Sequence, residues 1–287
     1  MTKAKPKLLP STYLMVLIMT SPSDFATRQV IRDTWLRLST KTPQMFRHAF
    51  IIGTKNLSSA ATKKLNEEST QFNDLVFLDG LAENYNKLTA KTAHSIKYAV
   101  DTFDFKFILK VDGDSFVRLG SLLKSLKDIE HPRLYWGFLD GRAKPFRKGK
   151  WKETGGWILC DRYLPYQLGG GYIIAHSLAK FIAENLGLLK FYQSEDVSVG
   201  AWLAGLDFQI KYVHDPRFDT EFTSRGCHNE YLITHKKSSE SLKVLFSNVR
   251  DKGVLCTKEF QARPSYVYDF AAPASQCCIR TNDSTIP

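Results

Sequence analysis

Apolar residues run without a break from Tyr13 through Leu14, Met15, Val16, Leu17 and Ile18 to Met19, the pattern of a strand covered on both faces. The run is far shorter than the roughly 20 residues a bilayer helix needs, and no small-residue cleavage site follows it. Downstream, Asp24 is placed to cap a segment in which Val30, Ile31, Thr34, Trp35 and Leu38 recur at helical spacing. A strand over 49–52, a polar helix near 59–70 and a strand over 75–78 come next. A long helix is predicted over about 85–103, with Leu88, Thr92, Ile96, Ala99 and Phe103 on one side, and then a strand over 105–111. Strand and helix alternate, so the expected class is α/β: a mainly parallel sheet between helices.

Beyond residue 111 the pattern loosens. Residues 139–156 are basic (Arg142, Lys144, Arg147, Lys148, Lys150, Lys152), glycine-rich and set among Trp136, Trp151 and Trp157, which reads as a long surface loop. Gly169-Gly170-Gly171 leads into a strand from Tyr172 to Ala175, and a helix is expected after Ser177. A strand is expected over 208–213 and a helix around 238–250; otherwise residues 216–287 show weak periodicity, with no internal repeat.

With 287 residues and 43% hydrophobic content the chain can bury a sizeable core. Its net charge of +11 calls for an acidic partner such as a sugar nucleotide, a polyanionic glycan, a lipid surface or a nucleic acid. Nucleic acid is set aside because no recognition motif accompanies the charge. Of the five cysteines (Cys160, Cys227, Cys256, Cys277 and Cys278) none sits in a zinc-binding spacing, and the adjacent Cys277-Cys278 pair reads as disulfide chemistry. Two sequons, at Asn56 and Asn282, also suit a secretory lumen.

Four places could carry chemistry. Asp112-Gly113-Asp114 follows a buried strand directly, at the strand end where open α/β sheets bind ligands. Two carboxylates so spaced can share Mn2+ or Mg2+, and by themselves they are also ordinary turn residues. His214, after the strand 208–213, could add an imidazole ligand. Glu195 and Asp196 follow Ser194, a candidate N-cap, so both acids fall in a first helical turn where the dipole favours ionisation. An ionised carboxylate there can act as general base on a sugar hydroxyl. Arg28 and Arg32 lie one helical turn apart and could grip a phosphate. No GxxxxGK[ST] or GxGxxG occurs, so phosphate-loop and dinucleotide readings fail.

Several long segments resemble the β-1,3-galactosyltransferase family. They are Arg28…Val30-Ile31-Arg32-Asp33-Thr34-Trp35, Tyr85-Asn86-Lys87-Leu88-Thr89-Ala90-Lys91-Thr92, Lys110-Val111-Asp112-Gly113-Asp114-Ser115-Phe116, Tyr135-Trp136-Gly137-Phe138 and Leu164-Pro165-Tyr166 with Gly169-Gly170-Gly171-Tyr172. Ser194 to Ser198, His214 to Thr220, Ser265 to Asp269 and the Cys277-Cys278 pair resemble most closely the members that build the glycosaminoglycan–protein linkage. The resemblance runs from about Tyr13 to Pro287. It departs from the family at Gly113, where a third acid is usual, and at Lys87, where asparagine is usual.

The resemblance implies a GT-A-type, Rossmann-like fold, with residues 1–11 a stem remnant or disordered N-terminus and 12–287 one catalytic domain. It implies an inverting transfer of galactose from UDP-galactose, in β1,3 linkage, to a galactosyl-xylose acceptor on a proteoglycan core protein. Mn2+, or Mg2+, would be held by Asp112, Asp114 and His214. Asp196 would be the general base, with Glu195 the second choice. Arg28, Arg32 and Lys91 would lie at the nucleotide or diphosphate, and Trp136, Gly170 and Gly171 at the sugar. The setting it implies is the Golgi lumen, with a type II membrane anchor in the full-length protein that this chain does not carry. The alternatives are a β-1,3-N-acetylglucosaminyltransferase, another acceptor, or a non-catalytic UDP- or glycan-binding homologue.

Overall fold

A computed structural model gives the arrangement of residues 9–39, 42, 44–153, 161–206, 209–283 and 285–287. Trp157, Cys160, Phe208 and Ser284 lie outside the described residues, as do residues 1–8. Along the chain the elements are β1 (Ser11–Met19), α1 (Phe25–Asp33), β2 (Phe46–Gly53), α2 (Ser59–Phe72), β3 (Leu75–Leu78), α3 (Leu88–Thr102) and β4 (Asp104–Asp112). Then come β5 (Phe116–Val117), α4 (Leu119–Asp128), β6 (Leu134–Gly137), β7 (Leu139–Asp140), β8 (Tyr166–Gln167), β9 (Gly171–Ala175), α5 (His176–Glu184) and α6 (Glu195–Ala204). Last are β10 (Lys211–His214), β11 (Phe218–Asp219), β12 (Gly226–Cys227), β13 (Ile233–Thr234), α7 (Ser239–Lys252) and β14 (Phe260–Gln261).

Seven strands form the main sheet in the order β10-β6-β9-β4-β1-β2-β3. β1 runs parallel to both β2 and β4, and β6 runs parallel to β10. Only β9 opposes its neighbours, β4 and β6. The uninterrupted apolar run of β1 has its predicted meaning. Leu14, Val16 and Ile18 join the core on one face, with Trp35 and Trp136, while Met15, Leu17 and Met19 join the other, with Ile96 and Leu178. A strand covered on both sides has no polar face to show in its sequence.

Helix ends follow local chemistry in part. Ser58, the hydroxyl residue of the first sequon, accepts a bond from the Ala61 amide and caps α2. Gly253, at φ +71°, closes α7 in the left-handed region glycine enters freely. Asp24 precedes α1 but does not cap it; its carboxylate takes the Ser21 amide instead, at 2.8 Å. Ser194 likewise makes no side-chain cap on α6. In the C-terminal part Cys227 is bonded to Cys256, and Cys277 to its neighbour Cys278.

Candidate active site

The carboxyl end of β4 is the centre of a cleft of about 500 Å³. Met19, the last residue of β1, pairs with Asp112, and the Gly113 amide donates to the Met19 carbonyl at 3.1 Å. A side chain at 113 would start 3.0 Å from that same oxygen, so the residue between the two acids is pressed against the neighbouring strand. Asp112 and Asp114 both turn toward His235. Its Nε2 lies 3.5 Å from Asp112 Oδ2 and 3.0 Å from Asp114 Oδ1.

The tautomer of His235 follows from its other nitrogen. Nδ1 faces the Glu221 carbonyl at 3.2 Å and can only donate there, which turns Nε2 to the two carboxylates as the nitrogen that could ligate a cation once deprotonated. Nε2 is buried and makes no hydrogen bond of acceptable geometry. Ligand atoms of Asp112, Asp114 and His235 lie within 4.8 Å of one another, the one such group among the described residues. Two carboxylate oxygens and an imidazole nitrogen suit a divalent cation of the Mn2+ or Mg2+ kind, so these residues fit a metal. Burial disfavours a charged His235 ring, but the close carboxylates of Asp112 and Asp114 outweigh it and hold its pKa up at about 9, so the ring is charged near neutral pH until a cation replaces the Nε2 proton.

His214, expected as the third ligand, is placed elsewhere. Its Nδ1 accepts from the Leu139 amide at 3.1 Å, so Nε2 carries the proton and donates to the Tyr266 carbonyl at 2.9 Å. Both ring nitrogens are thereby spent on backbone. The ring stacks on Tyr266 at 5.2 Å, and burial, partly opposed by the Tyr266 bond, lowers its pKa to about 4.

Lys110 lies beneath the carboxylates, fully buried within β4. Its ammonium reaches Asp112 Oδ1 at 2.7 Å, the Gly169 carbonyl at 2.6 Å and the Glu195 carboxylate. The other Glu195 oxygen accepts from the Tyr172 hydroxyl at 3.1 Å. Burial pushes Glu195 up to about 7 even with Lys110 pulling the other way. Its neighbour Asp196 lines the cleft. One Asp196 oxygen accepts from the Gly169 amide and the other from the Val197 amide, both at 2.9 Å, which fixes the carboxylate without a cationic partner. Burial raises its pKa as well, against the pull of the Val197 amide and of Lys110.

The triple glycine serves packing as much as ligand access. A Cβ on Gly170 would sit 2.7 Å from His235 Cγ and Nδ1, and one on Gly171 would sit 3.0 Å from Ile233 Cδ1. Gly170 lines the cleft, whereas Gly171 is buried among core side chains.

The basic residues expected at the nucleotide are committed to ion pairs. Arg28 is fully buried and grips Glu68 with two bonds, of 2.8 and 2.6 Å. Arg32 bonds Glu68 and Asp74 and stacks over Phe72. Lys91 is 2% exposed and pairs with Glu83 at 2.7 Å and with the Thr20 carbonyl. None of the three lines the cleft. Trp136, expected at the sugar, is fully buried and does not line the cleft; its indole donates to Asp215 and its ring meets Phe218. All four side chains are buried and partnered within the frame, although Arg32 keeps one nitrogen, Nη1, without a hydrogen bond.

Sequence reasoning missed His235 and gave Lys110 no role. A short apolar stretch, Tyr231-Leu232-Ile233, precedes Thr234-His235 and was the available signal; it is too brief to stand out in a weakly periodic region.

A sequence model of the galactosyltransferase family matches residues 26–216. The chain belongs to the galactosyltransferase family. Beta-1,3-galactosyltransferase 6 of Mus musculus is 42% identical over 281 residues, covering 96% of this chain and 85% of that one. Hydroxyproline O-galactosyltransferase GALT2 of Arabidopsis thaliana is 29% identical over 258 residues, 86% of this chain and 36% of the plant protein. UDP-GalNAc:beta-1,3-N-acetylgalactosaminyltransferase 2 of Homo sapiens is 33% identical over 144 residues, half of this chain and 28% of that protein. The chain thus spans most of the mouse galactosyltransferase but only about a third of the other two. Family membership makes it a glycosyltransferase, whose substrates are a sugar donor and an acceptor. No helix among the described residues is long and apolar enough to cross a membrane.

Proposed function

We propose that this galactosyltransferase moves galactose from UDP-galactose, in β1,3 linkage and with inversion, onto a galactosyl-xylose acceptor of the glycosaminoglycan–protein linkage in the Golgi lumen. The observation that carries the reading is a cleft whose wall holds Asp112, His235 and Asp196, with Asp114 grouped on the first two. The 42% identity to beta-1,3-galactosyltransferase 6 supports the donor and the linkage.

In this reading Asp112, Asp114 and His235 would hold Mn2+, or Mg2+, and the ion would supply charge neutralisation for a departing diphosphate. Asp196 is the general base. Two amides orient it, and among the described residues no lysine or arginine forms an ion pair with it. Glu195, its carboxylate turned onto Lys110 and Tyr172, positions the floor of the cleft and does not touch the acceptor. Lys110 ties the metal side to the base side, since one ammonium meets both Asp112 and Glu195.

The test is radiolabel transfer from UDP-galactose, UDP-N-acetylglucosamine and UDP-glucose to a galactosyl-xyloside, with and without manganese. Manganese-dependent transfer from UDP-galactose alone is the expected result. Preferred use of UDP-N-acetylglucosamine would replace the donor assignment, and UDP binding without any transfer would make the protein a binder.

A further inference from the structure

Glu221 stands in the cleft wall beside His235, yet its carboxylate is turned away from the carboxylates at the end of β4 and onto arginines. It follows β11 in a bend outside any helix or strand, so its side chain supplies the anchorage that a strand draws from its ladder. Only 8% of that side chain is exposed. Arg225 Nε and Arg263 Nη1 each lie 3.5 Å from one of its oxygens. Arg280 does more. Its Nη2 donates to Oε1 and its Nη1 to Oε2, the latter at 3.3 Å. A two-pronged contact of this kind fixes the plane of a carboxylate as well as its position.

Arg280 is itself held by the C-terminal segment. Its Nη1 also donates to the Pro264 carbonyl at 2.5 Å, and the next residue, Thr281, donates its amide to the Ser265 carbonyl at 2.9 Å. The Tyr266 ring centre lies 5.3 Å from the guanidinium carbon, and the Tyr266 hydroxyl donates to the Leu139 carbonyl in β7. Glu221 joins this segment to the cleft, because its backbone carbonyl is the group that faces His235 Nδ1. The partner at one ring nitrogen orients the other, and here the other is Nε2, turned to Asp112 and Asp114.

We infer that Arg280 is a positioning residue of the cation site, acting through Glu221 to keep His235 turned to the two carboxylates. Arg280 does not line the cleft, so its influence passes through the residue it grips. The inference rests on the reading of Asp112, Asp114 and His235 as a site for a divalent cation. Charge and position make opposite demands. Loss of the Arg280 charge would by itself draw a cation more tightly to the site. Release of Glu221 loosens the imidazole and weakens the hold.

The test titrates manganese at a fixed UDP concentration into wild type, Arg280→Ala, Arg280→Lys, Glu221→Gln and the double variant Arg280→Ala/Glu221→Gln. Free Mn2+ is read by electron paramagnetic resonance, with a protein-free titration subtracted and the result normalised to folded protein. Arg280→Ala is expected to lower manganese affinity about 10-fold, the order of a lost supporting partner. Glu221→Gln keeps the backbone carbonyl, loses the ionic grip and should fall in the same direction. The double variant should bind no more weakly than the weaker single one, since both changes break one link. Arg280→Lys keeps the charge without the two-pronged geometry and should recover part of the affinity. A merely structural role would lower the melting temperature of Arg280→Ala and leave the manganese affinity of the folded protein unchanged. That result overturns the inference, and so does tighter binding. Additive losses in the double variant overturn it too, because Arg280 would then act apart from Glu221. Wild type that binds no manganese beside UDP sinks the cation reading itself, before any variant is compared, and the inference with it.

Discussion

His235 Nε2 lies 3.0 Å from Asp114 Oδ1 while its Nδ1 is turned to the Glu221 carbonyl. That pairing sets His235, and not His214, beside the two carboxylates. It also explains Gly170, where a Cβ would collide with the His235 ring.

The first prediction separates the two histidines. Asp114→Ala should abolish manganese-dependent UDP binding in calorimetry, and His235→Ala should weaken it at least about 10-fold. His214→Ala should leave it unchanged and lower the melting temperature instead, because a stacked ring and two backbone hydrogen bonds are lost. Normal UDP binding by the His235 variant would remove that residue from the site.

Asp196→Asn should cut kcat by about 10²–10⁴-fold, the usual worth of a general base, with UDP–manganese affinity near wild type. The amide keeps the shape but cannot take a proton. Near-normal turnover would hand the base role to another group.

Arg28 should behave as a frame residue. Arg28→Ala leaves Glu68 buried without its bidentate partner, a change that typically costs about 3–5 kcal/mol. Denaturant unfolding should register the loss, and the folded fraction should bind UDP as wild type does. Full stability with weakened UDP affinity would return Arg28 to the nucleotide.

Glu195 gives a pH dependence with a definite sign. Burial lifts its pKa from 4.5 to about 7 in the folded protein. Between those values the unfolded chain has released the proton and the folded one retains it. Stability therefore falls as pH rises from about 4.5 to about 7, then levels off. In Glu195→Gln this contribution vanishes, so the melting temperature of the variant relative to wild type should climb through that window in metal-free buffer. A constant offset would assign the effect elsewhere.

The apolar runs of β1 and β4 and the acids placed directly after β4 were legible because strand burial and strand-end chemistry are local in sequence. Asp196 was legible for the same reason, as a first-turn acid. The basic residues were not: Arg28 and Arg32 look like anion binders until Glu68 and Asp74, some 40 residues on, are folded against them. The resemblance put Trp136 at the sugar, but β6 lies inside the sheet between β10 and β9, with the Trp136 ring packed on Phe218.

The chain alone determined that a mainly parallel α/β sheet forms and that carboxylates stand at the end of a buried strand, since hydrophobic period and turn chemistry act over a few residues. Only the fold decided which imidazole meets those carboxylates and which cations are already neutralised. Coordination and ion pairing act over a few ångströms between groups that the sequence separates by scores of residues, and the direction of a histidine lone pair is set by whichever backbone group occupies its other nitrogen.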